Sequence, residues 1–182
     1  MRFTLNNLQS IKRSCTEVRK EKEKILNKSE MFVDRLINVG ISVAKVHTGE
    51  YAGYIIFSKG IEKHENGVEG MMLATNGKRL IKSWYTNKEM TEKRSYEVSP
   101  ILLAEFGSGW FANNIVWDVE GVGQGTMPDS YGHANDPAGW YWYDESGKKH
   151  HSYGAPPSFP MHNAMMAMMA DIDRIARSVF NG

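Results

Sequence analysis

The residues best suited to chemistry lie in the second half of this 182-residue chain. Glu105 ends the apolar run Ile101 to Ala104 and is followed by Phe106 and the glycine turn Gly107-Ser108-Gly109. Beyond it, Asp118, Glu120, Asp129 and Asp136 are interleaved with Trp110, Trp117, Trp140 and Trp142. Paired carboxylates flanking a sugar bond, with aromatic rings stacked on the sugars, are the working parts of a glycosidase. A peptidoglycan- or polysaccharide-acting glycosidase, or a glycan-binding module over residues 110–153, is therefore the alternative that the residue types allow. These carboxylates share no defined spacing, however, and Asp and Asn among glycines are ordinary turn chemistry.

Other chemistries are weaker. His133, His150, His151 and His162 offer imidazoles for zinc, but adjacent His150 and His151 point to opposite faces of a strand and no His-x-x-x-His occurs. Gly121 to Gly125 lacks the lysine and hydroxyl of a phosphate loop. Cys15, the single cysteine, sits on a helix face with no obvious base partner to make it a nucleophile and reads as a small core residue. We expect no catalytic residue, no metal and no cofactor. Glu105 still needs a partner if it is buried. It could accept from the backbone N–H groups of Gly107 to Gly109, or from an arginine of a neighbouring subunit.

Composition narrows the field. With 22 basic and 21 acidic side chains, the net charge of +1 gives no electrostatic footprint for nucleic acid. No window is apolar enough for a membrane span, and Met1 to Ser10 has no signal-peptide run, so synthesis in a reducing cytoplasm is expected. Eleven methionines, and the crowd of Trp, Tyr and Gly between Phe106 and Tyr153, fit adaptable contact surfaces and self-assembly.

The elements that must position these residues follow from periodicity. Apolar residues at Leu8, Ile11, Cys15, Val18, Ile25, Phe32, Val33, Leu36, Ile37, Val43 and Ala44 predict a long amphipathic helix, or two in line. The solvated segment Arg19 to Lys24 allows a break near Asn27 to Ser29, with Ser29 as a fresh N-cap. After Thr48-Gly49 the pattern becomes extended. Asn66-Gly67 and Asn76-Gly77 are hairpin signals, predicting a meander of strands at Tyr51 to Lys59, Val68 to Thr75, Lys78 to Thr86 and Arg94 to Phe106. Pairing across Asn76-Gly77 would set Leu73 opposite Leu80, Met71 opposite Lys82 and Met72 opposite Ile81. Pro100 would force a bulge or an edge position in the last strand.

Residues 110–138 read as a long loop. A hairpin centred on Ser146-Gly147 would then set Trp142 against His151, Trp140 against Tyr153 and Asp144 against Lys149, with a bulged turn shifting this by one. Ser158 as cap and Pro160 in the first turn predict a C-terminal amphipathic helix. Its stripe would be Met161, Ala164, Met165, Met168, Ile172, Ile175, Ala176 and Val179, and Asn181-Gly182 would end it.

The expected fold class is α+β, in a single domain over 1–182. A helical segment (1–47) packs on an antiparallel sheet of about four strands (48–109), followed by a loop and hairpin insertion (110–155) and a C-terminal amphipathic helix (156–182).

Three stretches in this order resemble the minor tail-component, or tail-completion, family of long-tailed bacteriophages, which joins head to tail at the neck. Thr48-Gly49-Glu50-Tyr51-Ala52-Gly53-Tyr54-Ile55 is similar to the family's Thr-Gly-x-Leu-x-x-Ser-Ile, departing at Tyr51 and Tyr54. Ala104-Glu105-Phe106-Gly107-Ser108-Gly109 is similar to its hydrophobic-Glu-Phe-Gly-Thr-Gly signature. Pro160-Met161-His162-Asn163-Ala164 resembles the Pro-Phe/Met-x-x-Ala start of its last helix. Residues 110–155 and the extended first helix have no counterpart in smaller family members.

The resemblance implies a structural virion protein without catalytic residues. It implies a self-assembling ring, of six copies by analogy, between the head connector and the tail-tube or tail-terminator proteins. Trp110, Trp117, Trp140, Trp142, Met165 and Met168 are then the candidate interface residues.

Overall fold

One continuous helix, α1 (Leu5–His47), is the spine of the protein, 43 residues or ~64 Å long. It belongs to an α+β fold seen in a computed structural model that describes residues 5–78, 80–86, 93–108, 111, 140–143 and 148–181. The expected break near Asn27 to Ser29 does not occur. The Ser29 hydroxyl donates to the Ile25 carbonyl at 2.9 Å, one turn back, instead of capping a new helix. Thr16 and Ser42 do the same to Lys12 and Asn38. Arg19 to Lys24 is solvent-exposed, as expected, and its lysines and glutamates are good helix formers that carry the helix through.

α1 ends at Thr48, whose buried hydroxyl donates to the Lys45 carbonyl at 2.7 Å, and at Gly49, which takes φ +55°. A 3-10 turn, Gly49–Tyr51, follows. Because Thr48 to Tyr54 are spent on these turns, the first strand starts at Ile55 rather than Tyr51. Strands β1 (Ile55–His64) and β2 (Gly67–Asn76) pair antiparallel from Ile55 opposite Asn76 to His64 opposite Gly67. Their turn is Glu65-Asn66, one residue earlier than predicted, and neither Asn66 nor Gly67 has a positive φ.

The hairpin lies against α1 through Gly70, where an added Cβ would sit 2.1 Å from Val33 Cγ1 and 2.7 Å from Ile37 Cδ1. Lys59 bonds Asp34 and Asn38, Lys63 bonds Glu30 and Asn27, and Lys22 reaches Glu65. These half-exposed pairs contribute at most about 1 kcal/mol each, so they set register more than stability.

Among the described residues the four-strand meander is not formed. The described strands make three separate two-stranded sheets. Asn76-Gly77 is no hairpin turn: the Asn76 side chain is committed to Ser99 and Ile101, and the Gly77 N–H to the Tyr54 carbonyl. Leu73 therefore faces Ser58, Met71 faces Gly60 and Met72 faces Lys59. β3 (Leu80–Thr86) pairs instead with β4 (Lys93–Val98), with a register shift between Lys82 and Tyr85.

Pro100 to Phe106, predicted as strand, is a helix, α2 (Pro100–Phe106). Ser99 is its N-cap, accepting from the Leu102 N–H, and Pro100 opens the first turn, where a missing N–H costs nothing. β5 (Trp140–Tyr143) and β6 (Lys149–Ser152) form the third hairpin, with Trp140 opposite Ser152 and Trp142 opposite His150. The register is one residue away from that of a turn centred on Ser146-Gly147. Asp144, Ser146 and Gly147 lie outside the described residues, as does the loop 110–138 apart from Phe111.

The last helix, α3 (Pro160–Phe180), runs antiparallel to α1. Lys28 donates to the Phe180 carbonyl, Arg35 to Ser178, and Met168 packs on Gly40. Ala164, Ile175 and Val179 are buried, while Met161, Met168 and Ala176 are half-buried. Met165 and Ile172, predicted on the covered stripe, are exposed because α1 meets only one edge of it. Asn181 closes the helix with its N–H on the Arg177 carbonyl. Among the described residues no helix is long and apolar enough to cross a membrane.

Candidate functional site

Among the described residues, the best-organised polar arrangement is built around the short helix α2. Its first end is held by two side chains. Asn76 at the close of β2 donates to the Ser99 hydroxyl at 2.9 Å and accepts from the Ile101 N–H at 3.3 Å. Its apolar side enters the core, where Leu103 and Ala104 are buried with Tyr51 and Ile55, and Phe57, Ala74 and Ile101 pack around them. Burial pushes the Tyr51 hydroxyl well above its ordinary pKa, and neighbouring Glu50 raises it further.

Its last turn builds the start of α3. Glu105, buried to 8 % exposure, accepts the Met161 N–H at 2.7 Å through one carboxylate oxygen and the His162 N–H at 3.0 Å through the other. It thus does the capping work that Ser158 was expected to do. The N-cap position is Phe159, which takes φ 53° and makes no side-chain cap bond. Proline at the next position disfavours ordinary helical geometry for Phe159. Ser158 turns the other way, donating through its backbone N–H (2.8 Å) and its hydroxyl (3.1 Å) to the Ala104 carbonyl, which also receives the Phe159 N–H. A carboxylate aimed at the positive end of a 21-residue helix is favoured by the helix dipole as well as by its two hydrogen bonds.

Among the described residues, the expected backbone donors Gly107 and Ser108 are not the ones that Glu105 uses. The Gly107 N–H goes to the Leu103 carbonyl. Gly107 itself takes φ +70°, and a Cβ there would lie 2.6 Å from the Ala155 carbonyl oxygen and 2.9 Å from the Pro157 ring. Buried Ser108 ties the same segment, exchanging bonds with Ala155 through its N–H (2.8 Å) and its hydroxyl (3.0 Å).

The structure thus brings Thr48, Gly49, Ala104, Glu105, Gly107, Pro160, Met161 and Ala164 into one neighbourhood, because α2 touches the turn after α1, the end of β2 and the start of α3. Thr48, Ala104, Pro160 and Ala164 are buried there, and Phe106 and Met161 are half-buried. Gly109, Trp110, Trp117, Asp118, Glu120, Asp129 and Asp136 lie outside the described residues. Trp140 and Trp142 sit at alternate positions of β5. Of the interface candidates, Met168 turns inward against Gly40 and Met165 faces solvent.

Sequence reasoning missed several exposed apolar side chains. Met166, Met169 and Ile172 join Met165 on the outer face of α3, and Ile56, Met71 and Leu73 share the outer face of the β1–β2 hairpin. Two-residue alternation along β1 and β2 was the signal for the second group. A groove of about 440 Å³ separates α1 from α3, lined in part by Arg35 and Arg174. Ser178 holds the first arginine and Asp171 the second, the latter in a bidentate pair. Among the described residues no three His, Cys, Asp or Glu side chains converge as metal ligands would. No protein-family model, curated protein or solved structure matches the chain.

Proposed function

We propose that this protein is a structural component of a tailed-bacteriophage virion, a tail-completion or neck protein that joins the head connector to the tail as a homo-oligomeric ring. The observation that carries the reading is the convergence at α2. The three stretches that resemble the family, 48–55, 104–109 and 160–164, are far apart in sequence, yet their described residues form one connected set of core contacts and hydrogen bonds.

Assembly is supported by the apolar surface that a single copy leaves bare on α3 and on the outer face of the hairpin. Connector, tail-tube and tail-terminator proteins are the partners this role requires, with the chain made in the host cytoplasm and ending in the virion. Glu105 acts as a joint between two helices in this reading, with no part in a reaction.

The test is mass photometry and negative-stain imaging of the purified protein, alone and mixed with phage tail tubes. Rings, and density at tube ends, are the expected result. Unassociated monomers in both samples would overturn the proposal.

A further inference from the structure

The groove of about 440 Å³ between α1 and α3 has an apolar floor and a donor-rich rim. Half-buried Val39 and Val43 of α1 and buried Ile175 of α3 make the floor. Arg35, Arg174 and Ser178 stand around it, and none of the lining residues is an acid. Asn38 lines it too, but its amide is spent on the hairpin side, donating to Asp34 and accepting from Lys59.

The two guanidiniums differ in what they have left to give. Arg174 folds back on Asp171 of its own helix, donating through Nε at 2.9 Å and Nη2 at 2.6 Å, so its charge is answered. Arg35 donates through Nη1 to the Ser178 hydroxyl at 2.8 Å, and among the described residues no carboxylate reaches it. Lys28, two turns earlier on the same face of α1, adds to the positive field, because a backbone carbonyl, that of Phe180, accepts from its ammonium. Arg35 thus keeps the rest of a planar fork of N–H donors beside an apolar floor.

We propose that this groove binds an aliphatic monocarboxylate, with its carboxylate on Arg35 and its chain over Val39, Val43 and Ile175. One unanswered guanidinium matches one negative charge, and its fork can take both carboxylate oxygens. A small inorganic anion would leave the floor uncovered. The α1 wall from Arg35 to Val43 spans a little over two turns, ~12 Å, the reach of a carboxylate with a chain of about eight carbons. The volume is that of a small-molecule site.

The site does not depend on the virion reading. Octanoate is the probe, followed by NMR of the full chain with labelled Val, Ile and Met methyl groups. Saturable shifts are expected at Val39, Val43 and Ile175. Octanamide, which has the same shape without the charge, should bind at least about tenfold more weakly. Arg35→Gln should weaken octanoate by a similar factor and leave thermal unfolding unchanged, because the residue is exposed. Equal binding of octanamide, an Arg35→Gln variant that binds as wild type does, or shifts that appear first on exposed Met165 and Met169 would overturn the proposal. So would Val39 and Ile175 signals that move with protein concentration alone, since the groove would then hold part of a neighbouring copy.

Discussion

Glu105 joins two helices with one side chain, and its worth can be measured. Each hydrogen bond to a charged group contributes about 1.5–3 kcal/mol, and truncation leaves the Met161 and His162 N–H groups without their acceptor. Glu105→Ala should therefore lower the free energy of unfolding by about 2–4 kcal/mol in urea titrations. Glu105→Gln, which keeps one carbonyl oxygen but gives up the charge at the helix end, should cost roughly half as much. An alanine variant of wild-type stability would remove the capping role. Tyr51 makes a prediction in pH. Its folded pKa lies above the ordinary value of 10.0, so the unfolded chain ionises first. The resulting stability is fully present below pH 10.0 and is lost as pH rises toward the folded value. Tyr51→Phe should lose less stability than wild type over that alkaline range in parallel urea titrations.

Among the elements, the contact between α1 and the hairpin depends on the missing side chain at Gly70. Gly70→Ala would drive a Cβ into Val33 and Ile37 and should cost about 1–3 kcal/mol as overpacking. Val33→Ala in the same chain should recover part of that loss, and a double-mutant cycle by thermal unfolding measures the coupling. Simple additivity would show that the two residues do not meet. The elements also show where local signals compete. Ile101 to Ala104 is an apolar run that periodicity cannot assign, and Ser99-Pro100 before it is a helix start that outweighs it. At Ser158 the same kind of signal misleads, because the Ala104 carbonyl claims the hydroxyl and a distant glutamate takes over the cap.

For the whole molecule, the bare face of α3 leaves Met165, Met166, Met169 and Ile172 exposed to solvent. Replacing Met165 and Met169 by lysine should leave the unfolding free energy within about 0.5 kcal/mol of wild type, since neither side chain is buried. It should abolish association with tail tubes in the imaging assay, and unchanged association would turn attention to the hairpin face. The α+β class, the long first helix, the first hairpin and the C-terminal helix were all legible in the sequence, because each rests on periodicity or on capping within a few residues of itself. The partition into three two-stranded sheets was not, since the Asn76-Gly77 turn is broken by a side-chain bond to Ser99, 23 positions away. The partner of Glu105 was hidden for the same reason. Its hydrogen bonds span more than 50 residues, and only the packing of α2 between β2 and α3 brings that carboxylate to the end of the last helix.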